Sequence, residues 1–343
     1  MKLKVLGISM LAVSLSLVGC GSEETQQPST PVQNDTTQND DNEIAQEPYF
    51  TIGISQLVEH PALDSVREGF IHMLEEELDV NVYFSYQNAQ GDIANTQLIA
   101  QKMVSDDVDL IFTIATLATQ SAKQVTQNTD IPVIFSAVTD PVYSEIVLNL
   151  DAPEANITGT MDYVDSKSHL ELFKMIDPSV DTIGIIYNTG ESNSEVQVAQ
   201  AIEAAKDLGL TIKAVGITSV NDISQAVQSL SKDAQGLYLI TDNLISTATT
   251  LVAELAKTNG LITVSASENQ AEEGILLAGG VDYYNLGRQS AQMAYEILIN
   301  NTPISQIPVE ATKETTKYVN ETVLETLNLD KTNPAFDGAT FVK

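Results

Sequence analysis

Polar residues able to hold a charged small molecule collect in five short stretches, each directly after an apolar run. They are Ser55, Gln56, Glu59 and His60; Ala115 to Thr119, with Thr116 and Leu117; Ser136, Ala137, Val138, Thr139 and Asp140; Asn188 to Ser194, with Ser192 and Asn193; and Thr241, Asp242 and Asn243. Taken singly, Ser, Thr, Asn and Asp in such places are the ordinary caps of a following helix. As a cluster they offer more. Asn188 and Asp242, the hydroxyls at 116, 136 and 194 and the Gln56 amide together supply donors for a carboxylate and acceptors for an ammonium, which is what a zwitterion needs.

Catalytic chemistry finds few groups to work with. His60, His72 and His169 share no metal-ligand spacing, and one cysteine, Cys20, is the whole thiol complement. No nucleophile elbow, phosphate loop or dinucleotide fingerprint is present. Gly279-Gly280 reads as a hinge or turn, and His72 as a surface residue within a helix. His60 beside Glu59 could form a general-base pair, but no nucleophile or oxyanion partner accompanies it. No enzyme activity, metal or cofactor is expected.

The elements that must position these residues follow from periodicity. Apolar runs at 50–57, 80–86, 110–114, 133–137, 182–187, 210–215, 236–240, 262–265 and 275–277 alternate with segments carrying apolar residues at three-and-four spacing, at 61–78, 92–105, 117–127, 166–176, 193–208, 221–231, 246–259 and 285–300. Near-continuous apolar strands alternating with amphipathic helices predict an α/β protein of parallel sheets covered on both faces. Nine strands exceed one such sheet of usual size, so two doubly wound lobes are expected. The first lobe is placed at 49–158 plus 281–308 and the second at 159–280 plus 309–343, with crossings near Ile157-Thr158-Gly159, Gly280-Val281 and Pro308.

Ahead of the fold stands a different kind of sequence. Lys2 and Lys4 precede an apolar run from Val5 to Val18 that is too short to span a bilayer, and Leu17-Val18-Gly19-Cys20 resembles a bacterial lipobox. Residues 1–19 therefore read as a signal peptide and Cys20 as a lipidated first residue. Residues 21–48, rich in Gln, Asn, Asp, Thr, Ser and Pro, read as a disordered tether spanning roughly 30 Å. Loss of the signal removes two lysines and leaves 14 basic residues against 47 acidic ones, a difference of −33. Such an acidic chain argues against nucleic acid as a partner. With no second cysteine there is no internal disulfide, and no later apolar run approaches transmembrane length.

Several stretches together carry a family resemblance. Ile52-Gly-Ile-Ser-Gln-Leu-Val-Glu-His-Pro-Ala-Leu-Asp64 with Arg67-Glu-Gly-Phe70 is joined by Ala115-Thr116, Ala137-Val-Thr-Asp-Pro141, Tyr187-Asn188, Gly190-Glu-Ser-Asn-Ser194, Thr241-Asp-Asn243 and Asp282-Tyr-Tyr-Asn-Leu-Gly287. From about 50 to 330 the chain resembles the solute-binding lipoproteins of ABC transporters whose better-known members bind tryptophan or tyrosine. The resemblance implies a type I periplasmic-binding-protein fold, two lobes joined by three crossovers and closing on a ligand. By analogy with amino-acid binders of that fold, Thr116, Leu117, Ser136 and Val138 would hold the α-carboxylate and Asp242 the α-amine. Asn188 and Ser192, Asn193 and Ser194 would close from the second lobe, Gln56 would line the side-chain pocket, and Ser55 beside it is counted among the ligand-binding residues.

The implied partners are an amino acid, aromatic by the family alone, an ABC permease with its ATPase, and the membrane through the lipid. A monomer acting outside the cytoplasm is expected. A sugar or nucleoside ligand on the same fold is the nearest alternative, though the absence of Trp weakens the sugar reading. A surface sensor or adhesin without transport stays open. A related repressor would need a basic DNA-binding segment where the lipobox and acidic linker stand.

Overall fold

The computed structural model describes residues 49–153 and 156–343. The expected signal peptide, Cys20 and tether lie outside the described residues. The first half runs β1 (Phe50–Gln56), α1 (Pro61–His72), β2 (Val82–Asn88), α2 (Ile93–Ser105), β3 (Leu110–Ile114), α3 (Thr116–Thr126), β4 (Val133–Ser136) and β5 (Ile157–Met161). The second half runs α4 (Ser166–Ile176), β6 (Thr182–Asn188), α5 (Ser192–Asp207), β7 (Thr211–Ile217), α6 (Ile223–Leu230), β8 (Gly236–Leu239), α7 (Asn243–Ser246), α8 (Thr249–Thr258), β9 (Ile262–Ser267) and β10 (Leu277–Val281). A closing segment adds α9 (Tyr283–Leu298), β11 (Glu310–Ala311), β12 (Thr315–Asn320), α10 (Glu321–Thr326) and β13 (Thr340–Val342).

Two sheets result, in the orders β11-β5-β4-β3-β1-β2 and β13-β12-β10-β9-β8-β6-β7. All pairings in the first sheet are parallel, and in the second only β10 with β12 is antiparallel. Strands covered on both faces need apolar side chains throughout, and β3, β4 and β9 are buried along their whole length. Each sheet reverses its winding between its first and third strands, β1/β3 and β6/β8. That is where such sheets open a crevice beyond the strand carboxyl ends.

The chain passes between the sheets three times, after β5, after β10 and after β11. Two of these crossings fall beyond the expected boundaries. β5 stays in the first sheet to Met161, past the Ile157-Thr158-Gly159 boundary, and β11 keeps residues 310–311 in that sheet, past Pro308. β5 is hard to see in sequence because its buried Thr158 and Thr160 replace apolar residues. Their hydroxyls are satisfied instead, Thr158 by donating to the Ile307 carbonyl at 2.8 Å and Thr160 by bonding Ser290 Oγ at 2.8 Å and Ser136 Oγ at 2.9 Å. The single helix expected at 246–259 is two, α7 and α8, separated at Thr247-Ala248.

Helix α9 returns to the first lobe and packs along α1. A Cβ on Gly69 would stand 2.0 Å from the Tyr284 carbonyl oxygen, and one on Gly287 would stand 2.0 Å from that of Val66. Only glycine allows the two backbones this close. The contact fixes the start of α9, with Tyr283, against the later turns of α1, the helix that His60 precedes. Beneath them Phe70 stacks on Phe112, with ring centres 3.8 Å apart.

Candidate functional site

The carboxyl ends of the two sheets face each other across a cleft that four side-chain hydrogen bonds bridge. His60 Nε2 meets Asn243 Oδ1 at 3.2 Å, and Thr139 meets Thr241 through their hydroxyls at 3.1 Å. Toward the outside, Ser144 and Ser192 hydroxyls pair at 3.2 Å, and Asn269 Nδ2 donates to Ser65 Oγ at 3.3 Å. Between the sheets, His60, Ala62, Leu63, Ala137, Thr139, Asp162, Asn193, Thr241, Asn243, Ser246, Ser267 and Tyr283 enclose a cavity of about 10 Å³, the room of roughly one water molecule. The lobes are closed on one another.

The polar atoms around this cavity are unusual in being unpaired. Buried polar atoms are ordinarily hydrogen-bonded, because an unpaired one costs about 1–3 kcal/mol. Among the described residues seven buried side-chain atoms have no partner, and four of them, His60 Nδ1, Asp162 Oδ1, Asn193 Oδ1 and Ser267 Oγ, belong to residues lining the cavity. Two more, Ser55 Oγ and Thr116 Oγ1, lie at the carboxyl end of β1 and the start of α3.

Each of these groups is held by its surroundings. Asp162 opens the first crossing and accepts from the Tyr283 hydroxyl at 3.0 Å through Oδ2, leaving Oδ1 alone. Burial pushes its carboxyl above the ordinary range, and the Thr139 and Tyr283 hydroxyls pull the other way. Burial, with Asp162 beside it, also raises the Tyr283 phenol, which stays a donor. Burial lowers the His60 imidazole, which is neutral as a result.

The tautomer of His60 follows from its neighbour. Asn243 Nδ2 donates to Glu191 Oε2, which fixes Asn243 Oδ1 toward His60, so Nε2 carries the proton and Nδ1 is an acceptor. Asn193 is oriented in the same way, because its Nδ2 donates to the Thr241 carbonyl at 3.0 Å and to Glu191 Oε2 at 3.3 Å.

Of the residues expected to bind a ligand, Asn193 lines the cavity and the others do not. Asp242, expected to meet an amine, is turned into the second lobe. Its Oδ2 accepts from the Asn188 N–H at 2.6 Å and Ser194 Oγ at 2.7 Å, and its Oδ1 caps α7 at the Ile245 N–H, 2.8 Å away. Burial, with the charge of Glu191 nearby, raises its carboxyl. Gln56 is likewise consumed, donating to the Val58 carbonyl and Asp64 at 2.9 Å each and accepting from Arg67 at 2.7 Å.

The remaining expected residues stand around the cavity rather than on it. Ser136 spends its hydroxyl on Thr160. Asn188 braces Glu191 at 2.9 Å and accepts from the Gly190 N–H at 3.0 Å, while Ser192 joins the outer bridge to Ser144. Val138 is packed in the apolar core of the first lobe. Thr116 and Leu117 open α3, whose first turn has no side-chain cap, and Ala115 just before it takes the left-handed region at φ 82°. Ala137, at the end of β4, has φ 55° and lines the cavity. Backbone held in this region by non-glycine residues tends to gather at ligand sites.

In the sequence His60 stands among the strand-end polar residues and as a general-base candidate, whereas Asp162 and Tyr283, which also line the cavity, are not singled out. Asp162 follows β5, the strand that periodicity did not show, whereas Tyr283 sits inside the Asp282-Tyr-Tyr-Asn-Leu-Gly287 stretch. Among the described residues no group of three or more His, Cys, Asp or Glu is placed to hold a metal ion, and no helix is long and apolar enough to cross a membrane.

The family model of the ABC transporter substrate binding protein matches residues 51–336. The chain belongs to that family. Its members are solute-binding proteins rather than enzymes, and they act outside the cytoplasm. The tyrosine-binding protein of Clostridioides difficile (strain R20291) is 37% identical, over 95% of this chain and 90% of that one. The ABC domain from Streptococcus pneumonia in complex with L-Trp superposes with a TM-score of 0.81 at 27% identity, covering 86% of this chain and 100% of that one. The ligand-free, open structure of a substrate binding protein with adhesive properties from Clostridium difficile is 39% identical over 86% of this chain and 99% of that one, yet its TM-score is 0.67. The less identical, ligand-bound relative is the better superposition, in keeping with the bridged lobes described above.

Proposed function

We propose that this substrate-binding protein captures an aromatic amino acid in the interlobe cleft and delivers it to an ABC permease and its ATPase for import. The observation that carries the reading is the set of unpaired buried polar atoms on residues of both lobes around one cavity. A neutral sugar would find a cleft with a carboxylate but no Trp to stack on. A zwitterion supplies donors for the acceptors at Asp162 and Asn193 and a carboxylate for the uncapped starts of α1 and α3. There Thr116 adds an unpaired hydroxyl, and Ala62 and Leu63 of the first α1 turn line the cavity. The aromatic side chain is supported by the tyrosine-binding and L-Trp-bound relatives.

The anchor in this reading is a lipid on Cys20 after removal of residues 1–19, with residues 21–48 as tether and the protein a monomer. A second role in surface attachment is favoured by the adhesive properties of the relative at 39% identity. Deleting the gene and measuring amino-acid uptake and cell attachment side by side separates the two roles.

A thermal-shift screen of the full chain against the twenty amino acids, sugars and nucleosides tests the ligand class. A ligand at a hundred times its dissociation constant adds about 2.7 kcal/mol, or several degrees. Tyrosine or tryptophan is expected to stand out. Stabilisation by a sugar or nucleoside alone would overturn the amino-acid reading.

A further inference from the structure

We infer that the second lobe carries a ligand site of its own at the hinge, outside the interlobe cleft, for a small uncharged aromatic molecule, and that filling it favours the closed arrangement. The site is a groove of about 670 Å³ bordered by α4, by β10 and β12, and by the chain at Gly338 and Thr340. That volume is in the range of small-molecule pockets. The inference goes beyond the function proposed above and does not depend on it.

The hollow has a local cause in the Gly279-Gly280 pair. Helix α4 packs on β8 and β9, and β10 beside them brings two residues with no side chain. The pairing of β10 with β9 shifts register between Ala278 and Val281, a bulge of the kind found beside functional sites. Gly280 has φ 146°, and a Cβ there would stand 2.4 Å from the Ala266 carbonyl oxygen. His169 reaches from α4 to the bulge, where its Nε2 meets the Gly279 carbonyl at 2.6 Å. The apolar lining is Val164, Leu172, Leu277 and Val281, with the rings of Tyr163 and Tyr318.

The charged side chains on the walls are already engaged. Asp165 caps α4, accepting from the Lys167 N–H at 3.1 Å and the Ser168 N–H at 3.2 Å. Lys317 Nζ donates to the Asp337 carbonyl at 3.2 Å and to that of Ala335 at 3.4 Å. Burial, with the charges of Glu268, Asp282 and Glu272 nearby, raises the Tyr318 phenol, and the same acidic surroundings disfavour an anion. A cation would find the one lining carboxylate committed to the helix cap. A neutral ring fits what is left, apolar surface and two tyrosines to stack on.

All three crossings border this groove. Tyr163, Val164 and Asp165 belong to the first, Val281 ends β10 where the second begins, and Thr315 opens β12 where the third ends. Asp162, the chain neighbour of Tyr163, lines the interlobe cavity. Opening the lobes turns these segments and so reshapes the groove. A molecule that fits the closed shape therefore tightens the cleft for its own ligand, and the cleft ligand tightens the groove by the same factor.

The test is calorimetric titration of the full chain with 2-naphthol and with 2-naphthoate, with and without saturating L-tryptophan, repeated with Ser168→Trp. Ser168 is exposed on the α4 wall, and the larger side chain fills the groove. One 2-naphthol should bind per chain with a dissociation constant below about 1 mM, and 2-naphthoate at least about tenfold more weakly. Ser168→Trp should weaken 2-naphthol at least about tenfold, and L-tryptophan should tighten it about fivefold. The hinge site is overturned by no binding of 2-naphthol, by its competition with L-tryptophan, or by affinity unchanged in Ser168→Trp. Equal affinity with and without L-tryptophan overturns the coupling, and 2-naphthoate binding as tightly as 2-naphthol overturns the uncharged class. If L-tryptophan itself does not bind, the amino-acid reading fails while Ser168→Trp still decides the site. The coupling is then read by small-angle scattering, in which 2-naphthol should make the chain more compact. Thr340→Trp, from the opposite wall, serves as the second plug should Ser168→Trp not fold.

Discussion

Two buried carboxylates at the ends of these sheets look alike in sequence and behave differently in the fold. Asp242, after β8, has three donors on its two oxygens, and its neighbour Glu191 collects the Asn188, Asn193 and Asn243 amides and the N–H groups of Asn243 and Leu244. Asp162, after β5, has the Tyr283 hydroxyl on one oxygen, while its other oxygen, near the Thr139 hydroxyl, has no hydrogen-bond partner. Saturation, not burial or charge, separates the two, and in the function proposed above it is the unsaturated Asp162 that meets the ligand. A satisfied carboxylate stabilises its own lobe, whereas an unsatisfied one gains only when something enters.

Substitutions can break this contrast directly. Asp242→Ala strands three donors and should cost about 3 kcal/mol of stability, lowering the melting temperature by roughly five degrees, with tryptophan affinity within about threefold of native. Calorimetry and thermal melts together check it, and lost binding at an unchanged melting temperature would move Asp242 into the site. Asp162→Asn is expected to show the reverse. Affinity should fall by about 1.5–3 kcal/mol while the melting temperature holds or rises, since an underpaired buried charge is removed.

The pH dependence does not divide the two carboxylates, since burial raises both, but it does divide Asp162 from His60. Burial raises the Asp162 carboxyl, so the folded chain keeps a proton that the unfolded chain has released. Its contribution to stability is full below the ordinary Asp value and is lost as pH climbs above it. Melting curves between about pH 4 and 7 should therefore show Asp162→Asn gaining on the native chain as pH rises. His60 has the opposite sign. Its folded value lies below 6.5, so the folded chain resists protonation and loses stability as pH falls below the ordinary imidazole value. His60→Gln should accordingly gain on the native chain as the medium is acidified.

Smaller effects belong to the bridges. Thr241→Val removes the hydroxyl that bonds Thr139 and accepts from Gln197 at 2.7 Å, and should weaken ligand binding by about 1 kcal/mol. Ser144→Ala, at the outer bridge, should change it by less than about 0.5 kcal/mol. A larger loss at Ser144 than at Thr241 would place the main clasp at the rim.

Much of the fold was legible because its strands are apolar and its helices amphipathic. β3 and α4 fall where periodicity placed them, and most other boundaries differ by one or two residues. What escaped was stabilised by other means. β5 buries threonines that bond across the lobe, and β12 is recruited beside β10 by pairing rather than by its own pattern. The strand-end clusters were correctly read as polar, but the same residue types serve as caps, braces and ligand groups, and only partner counting tells these apart.

By itself the sequence determined the two-lobed α/β architecture, since the alternation of apolar and amphipathic runs permits few other ways of burying them. It also determined the family, through stretches such as Ile52 to Asp64. The tertiary structure alone decided which polar residues face the cleft. The Ser194 hydroxyl is consumed by Asp242, far along the chain, and the Asn188 and Gln56 side chains by partners brought round within their own loop and helix, whereas His60, Asp162 and Asn193 keep an unpaired atom. Hydrogen-bond saturation depends on which groups meet in space, and a linear pattern of residue types does not carry that information.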